Sequence, residues 1–249
     1  MKAIEKAFEI LEVFLKHKSE IGIAELSNLT GLNVSTVHRI ASTLIKKGYL
    51  RQTRKMGKYS LGLKILEYSE IIRSNHHIRE VARPFLEKLC RSVNESANLV
   101  IWDGYQVIRA EMIQSNHSLQ VFPTSTLLPP HCTGAGKAIL AHLPKQELER
   151  FLRSNSLDSY TPNTITDPDE LRKHLIAVKR EGVAFDEEEK ELGVRNVAAV
   201  IKDSDGNVVA AIGIVGPTIR LTRQKIREFI PIIKSHALEI SQALGYEGK

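Results

Sequence analysis

The chain has 249 residues, 42% hydrophobic and 26% charged, enough for two ordinary domains that each bury a core. That composition excludes a disordered chain, and two cysteines, Cys90 and Cys132, are too few for a disulfide framework. The net charge of +6 is uneven: residues 1–75 hold 13 basic and 7 acidic side chains, which accounts for all of it, so residues 76–249 are neutral.

Glu5, Lys6, Glu9 and Glu12 interrupt the first apolar stretch, so it reads neither as a signal peptide nor as a membrane anchor, and no later stretch approaches a membrane span. With two free thiols, a cytoplasmic location without membrane contact is expected. The spacing of Ile4, Ala7, Phe8, Leu11 and Phe14 or Leu15 predicts a helix over 2–16 that packs on a core or meets a second copy. A shorter helix follows Gly22, using Ile23, Leu26 and Leu29, and ends at Thr30-Gly31, where glycine supplies the left-handed conformation of a helix stop.

A third helix follows, capped by Asn33 or Ser35 and ended by Gly48. Val34, Val37, Ala41, Leu44 and Ile45 recur at helical spacing, which leaves Ser35, Thr36, Arg39, Ser42 and Lys46 facing solvent. Tyr49–Gln52 and Lys58–Leu61 read as strands around an Arg54-Lys55-Met56-Gly57 tip, completing the order of a winged helix-turn-helix. Between Leu26 and Leu66 there is no acidic residue and there are eight basic ones. Positive charge concentrated on a groove-reading module is the footprint of a nucleic-acid backbone partner. Ser35, Thr36, His38 and Arg39 occupy the turns that would meet base edges, with Arg39 the first choice for base readout. Lys46 shares that face, and Arg51, Arg54, Lys55 and Lys58 of the wing would hold phosphates. His38 packing on the second helix is the ordinary alternative.

The segment STVHRIASTLIKKGYL with YSLGLKILEYS, and later LPPHCTGAGKAILAHLP and EGVAFDEEEKELGVRNVAAVIKDSDGNVVAAIGIVGP, resemble an IclR-type transcriptional regulator in order and spacing over almost the whole chain. The resemblance implies an α/β (α+β) protein that is not an enzyme: a winged helix-turn-helix domain over 1–61, a linker helix over 62–75, and a GAF-like effector-binding and oligomerisation domain over 76–249. It implies a regulator, expected to be a repressor, that binds a double-stranded DNA operator as a homodimer or dimer of dimers and senses a small organic acid.

Residues 62–75 fit the linker, with Leu63, Ile65, Leu66, Ile71 and Ile72 apolar between charged positions. From Ile78 a helix runs to about Val93, with Pro84 tolerated if it lies in the first turn. Strands are expected at 97–102, 106–113, 118–122, 194–202 and 208–215, the last two as a hairpin around Asp203–Asn207. Helices are expected at 134–142, 145–153, 168–181 and 222–244, giving a sheet with helices on its faces.

The chemistry of this half centres on residues 129–137, PPHCTGAGK. Gly136-Lys137 invites a phosphate-loop reading, but that motif needs glycine at 131 and a hydroxyl residue at 138, where His131 and Ala138 stand. Thr133 can instead cap a helix whose first amides, around Gly134, Ala135 and Gly136, could bind an anion; tight packing that needs small residues is the competing explanation. The resemblance favours a ligand and assigns Leu128, Gly134, Ala135, Asp186, Val194, Asn196, Gly213 and Val215 to the effector pocket, and Thr133 of the cap joins them as the ninth expected pocket residue. It also notes that relatives sensing very small keto acids carry hydroxyls where Gly213 and Val215 stand, so a roomier, more apolar pocket for an aromatic or sugar-derived acid is expected. The acidic run Asp186–Glu191 reads mostly as a solvated loop, with Asp186 facing the pocket. His131, Cys132 and Asp186 match no zinc spacing, and adjacent His131 and Cys132 seldom face each other as base and nucleophile. No cofactor, metal or catalytic residue is expected.

Overall fold

The computed structural model describes residues 2–17, 20–52, 57–75, 77–104, 106–122 and 125–248. They form two compact units, Met1–His76 and His77–Lys249.

The first unit opens with α1 (Lys2–Lys16), α2 (Ile23–Thr30) and α3 (Val34–Lys46), followed by β1 (Leu50–Gln52), β2 (Tyr59–Leu61) and α4 (Lys64–Asn75). Gly31 closes α2 at φ 67°, which glycine adopts without a Cβ penalty. Asn33 caps α3 by accepting from the Thr36 amide at 2.8 Å. β1 and β2 pair antiparallel, and Ile21 bridges to Tyr59 as a third short edge. Ile10, Val13, Phe14, Leu26, Val37, Ile40, Ala41, Leu50 and Tyr59 share one core. The face of α1 that packs is therefore that of Ile10, Val13 and Phe14; Ile4, Phe8 and Leu15, which helical spacing placed on the buried stripe, are 64%, 59% and 73% exposed. Val34 is likewise exposed, because it is the first residue of α3 and projects past the core.

The second unit begins with α5 (His77–Val93), β3 (Ser96–Trp102), β4 (Val107–Ile113) and β5 (Leu127–Leu128). A 3₁₀ turn at Pro130–Cys132 leads into α6 (Gly134–Leu140), α7 (Lys145–Ser154) and α8 (Pro168–Glu181); β6 (Ala184–Glu187), β7 (Val194–Lys202), β8 (Val208–Pro217) and α9 (Arg223–Ala243) complete it. The six strands form one antiparallel sheet in the order β5-β4-β3-β8-β7-β6. Residues 118–122 form no strand: the edge beside β4 is taken by Leu127 and Leu128 instead. β6 takes in Asp186 and Glu187, the first two residues of the acidic run, and Glu189 of the loop that follows is buried, so the run is less solvated than expected. Pro84 lies well inside α5, past the first turn. It sits on the exposed face, where solvent can bond the carbonyl that loses its amide partner.

Alternation sorts the strands onto two cores. Ala97, Leu99, Val197, Ala199, Ile212 and Ile214 pack with Leu86 and Leu89 of α5 and Ile233 and Ile240 of α9. Val100, Ala184, Ala198 and Ala211 face the other way, against Ala135, Ala138 and Ile139 of α6, Phe151 of α7 and Leu171 and Leu175 of α8. The second face carries the polar residues described next.

Candidate functional site: nucleic-acid interface and ligand cavity

On α3, Ser35, His38, Arg39, Ser42 and Lys46 are exposed and Thr36 is half-buried, while Val37, Ile40 and Ala41 are buried. His38 therefore does not pack into the unit. The Ser42 and Thr43 hydroxyls donate to the His38 and Arg39 carbonyls at 2.8 and 3.2 Å, which turns those side chains back on the helix and leaves Arg39 projecting. Arg51 is exposed on β1, its Nε donating to the Ser60 hydroxyl at 2.8 Å, and Lys58 is half-buried. Arg54 and Lys55 lie outside the described residues.

In the second unit a cavity of about 290 Å³ opens on the sheet face that α6 covers. Leu128, Thr133, Ala135, Asp186, Val194, Asn196 and Val215 line it, together with Asn98, Arg109, Phe122, Ser125, Tyr160, Lys190 and Glu191. Strand register explains the grouping: Asp186 lies opposite Asn196, Asn196 opposite Val215, Asn98 opposite Gly213 and Arg109 opposite Val100. Directly paired residues point to the same face, so these side chains converge from five strands. Arg109, Lys190, Asp186, Glu191 and two asparagines share the wall with Val121, Phe122, Leu127, Leu128, Pro129, Val194 and Val215, so the cavity is mixed, with charged groups beside the apolar surface expected from Gly213 and Val215.

Gly134 and Gly213 are not in the wall. A Cβ on Gly134 would stand 2.3 Å from Asn196 Oδ1, and one on Gly213 would stand 2.6 Å from the Val197 carbonyl. Both glycines serve close packing, and Gly134 leaves Asn196 free to donate from Nδ2 to the Ile214 carbonyl at 2.8 Å. The α6 amides are also less available than the sequence suggested. Thr133 Oγ1 accepts from the Gly136 amide at 3.3 Å, and the helix has seven residues, all buried. Packing, the competing explanation for these small residues, accounts for them.

Asp186 is 4% exposed, and its Oδ1 accepts from the Glu189 and Lys190 amides at 2.8 and 3.3 Å. Burial is the main force raising its pKa to about 7; the Glu189 amide opposes that rise and the Glu189 carboxylate adds to it. Glu189 itself is buried, its Oε1 paired with Lys137 Nζ, and Lys137 is fully buried. Neither residue was legible as a pair, since they are 52 positions apart. His131 is 2% exposed and its Nε2 meets the Asp158 carbonyl at 3.0 Å. Burial, then the nearby Asp186 carboxylate, pushes the Cys132 thiol up to about 12. A thiol held neutral beside an imidazole engaged elsewhere is no nucleophile. Among the described residues no three metal-binding side chains cluster.

An exposed reading helix on a winged unit, linked to an α/β unit with a cavity of small-molecule size, defines a DNA-binding transcriptional regulator with an appended domain. The model of the IclR helix-turn-helix domain matches residues 3–54, and that of the bacterial transcriptional regulator IclR C-terminal domain matches residues 71–242. The chain belongs to the IclR family and is a transcriptional regulator, not an enzyme. It is 32% identical to the HTH-type transcriptional regulator KipR of Bacillus subtilis, over 98% of each chain. It is 29% identical to the transcriptional repressor IclR of Escherichia coli, over 98% of this chain and 90% of that one. The crystal structure of the Thermotoga maritima IclR superposes with a TM-score of 0.75 at 31% identity, covering 99% of this chain and 100% of that one.

Proposed function

We propose that the protein is a cytoplasmic repressor that binds a double-stranded DNA operator as a homodimer or dimer of dimers, and that a small organic acid in the cavity changes its operator affinity. In this reading residues 1–61 bind DNA, 62–75 relay, and 76–249 bind effector and assemble. The observation that carries it is the convergence of seven of the nine expected pocket residues on one cavity. Second, α1 keeps Ile4, Phe8 and Leu15 exposed opposite its buried face, an apolar surface suited to a second copy. Third, α4 is tied to the DNA-binding unit: the Tyr49 and Tyr68 hydroxyls meet at 2.8 Å, their rings stack at 6.0 Å, and the Gly62 amide donates to the Tyr49 carbonyl at 2.8 Å. A displacement of α4 therefore reaches the wing and α3. The coupling requires that the acid bind the two states with different affinity.

On the DNA side, Arg39→Ala should weaken binding by about 1–3 kcal/mol and relax preference at one base pair. Arg51→Ala should instead weaken all sequences alike and flatten the salt dependence. Binding selection on random duplexes separates the two effects, and an unchanged preference for Arg39→Ala would remove Arg39 from base readout. On the sensing side, a thermal-shift screen of organic acids on the full chain should give hits that Ala135→Trp, which fills the cavity, abolishes. Hits that survive Ala135→Trp would place the ligand elsewhere.

A further inference from the structure

Resting on the proposal that the cavity is the effector site, the geometry points to Arg109 as the residue that takes the effector's carboxylate, with Asp186 on the far wall taking a hydroxyl. The effector class is then a hydroxylated carboxylic acid long enough to reach from β4 to β6.

Four other arginines of this unit that are partly withdrawn from solvent each meet a carboxylate: Arg79 with Glu111, Arg172 with Glu149, Arg195 with Glu187 and Arg220 with Glu95, at 2.7 to 3.1 Å. Arg109 is also half-buried and forms no ion pair among the described residues. Its Nη1 donates to the Ser125 carbonyl at 2.7 Å, and its Nε is buried with no partner. Burial alone pulls its pKa below the usual arginine value. Withdrawing a guanidinium from water without a counter-charge is costly unless an anion arrives to meet it.

Of the other charges near the cavity, Glu191 is exposed and carries the wrong sign for a carboxylate, and the two lysines have contacts of their own. Lys190 Nζ stands 3.6 Å from the centre of the Tyr160 ring, and Lys137 is paired with Glu189. Glu111, on the same strand as Arg109, is held on the opposite face by Arg79 and Arg83. Of the first amides of α6, that of Gly136 is taken by the Thr133 hydroxyl. Asp186 already accepts two backbone amides on Oδ1, so Oδ2 is the atom left for a ligand hydroxyl. The strand order puts β3, β8 and β7 between β4 and β6. Four spacings amount to about 19 Å across the strands, and the register adds an offset of four residues along them, since Arg109 lies level with Val200 and Asp186 with Asn196. Even with both side chains reaching inward, a two- or three-carbon acid is too short to touch both walls, which leaves extended hydroxylated acids.

The test is isothermal titration of the full chain with gluconate, 4-hydroxybenzoate and the corresponding amides, gluconamide and 4-hydroxybenzamide. Wild type should bind at least one acid about tenfold or more tightly than its amide. Arg109→Gln should lose about 10- to 100-fold in affinity for that acid and lose the preference over the amide, with Arg109→Lys intermediate. Asp186→Asn should weaken both acid and amide while keeping the preference. Arg109→Gln with full acid affinity overturns the assignment, and if Ala135→Trp still abolishes binding, the cavity reading survives it. Failure of every acid to bind wild type, or binding that Ala135→Trp leaves intact, overturns both. In the absence of ligand, Arg109→Met should melt no lower than wild type; a clear fall would show that the guanidinium serves the fold and would overturn the assignment.

Discussion

Replacing Lys137 with methionine is expected to destabilise the second unit by about 3–5 kcal/mol. Lys137 is fully inaccessible, the Glu189 side chain is 7% exposed, and Glu189 Oε2 already has no partner. Without the ammonium, Glu189 becomes an isolated buried carboxylate that must take up a proton or drag its loop into solvent. The consequence is also functional, because the Glu189 amide holds Asp186 in the cavity wall. Thermal melts followed by circular dichroism should show a fall of more than about 6 °C. The double variant Lys137→Met with Glu189→Met should recover much of the loss, since an apolar pair of similar volume is often neutral or better. A single variant that melts with wild type would mean that the pair carries no folding energy.

Asp186→Asn is expected to stabilise the protein at neutral and alkaline pH and to leave it unchanged in acid. The folded-state pKa of Asp186 is raised from 3.8 to about 7. Between those values the folded chain keeps a proton that the unfolded chain has released, so stability falls as pH rises through that window and stays lowered above it. The full effect is on the order of 4 kcal/mol at most. Asparagine keeps an Oδ1 for the Glu189 and Lys190 amides but carries no charge. Urea unfolding should therefore show the two proteins level near pH 4 and the variant ahead by a growing margin up to about pH 7. A stability difference that does not change with pH would mean that Asp186 is ionised throughout.

These two residues also mark where sequence reasoning stopped. The winged unit was legible because its determinants are local: helical spacing on α3, a cap at Asn33, a glycine stop at Gly31 and an uninterrupted basic stretch. The burial of Glu189 in the acidic run is not legible, because nothing near it in sequence announces Lys137, which reaches it from α6 across 52 positions. Periodicity on α1 could not say which of two apolar faces the unit would use, since Ile4, Phe8 and Leu15 fit a helix as well as Ile10, Val13 and Phe14 do. Residues 118–122 have strand composition, but Leu127 and Leu128 pair with β4. Arg109 was missed because the alternation of one strand does not tell which face will hold a cavity. Its position became meaningful once the register of β3 and β4, with the bulge between Leu99 and Val100, put it on the face of Asn98.

Whether an acid in the cavity alters DNA binding is measured most directly as operator affinity by fluorescence anisotropy, with and without the acid that binds wild type. Using a duplex recovered by binding selection, wild-type affinity should change about tenfold when the cavity is saturated, within the usual range of allosteric coupling. Ala135→Trp should bind the same duplex with an affinity that the acid does not alter. An operator affinity that stays constant in wild type while titration shows the cavity filled would contradict the account.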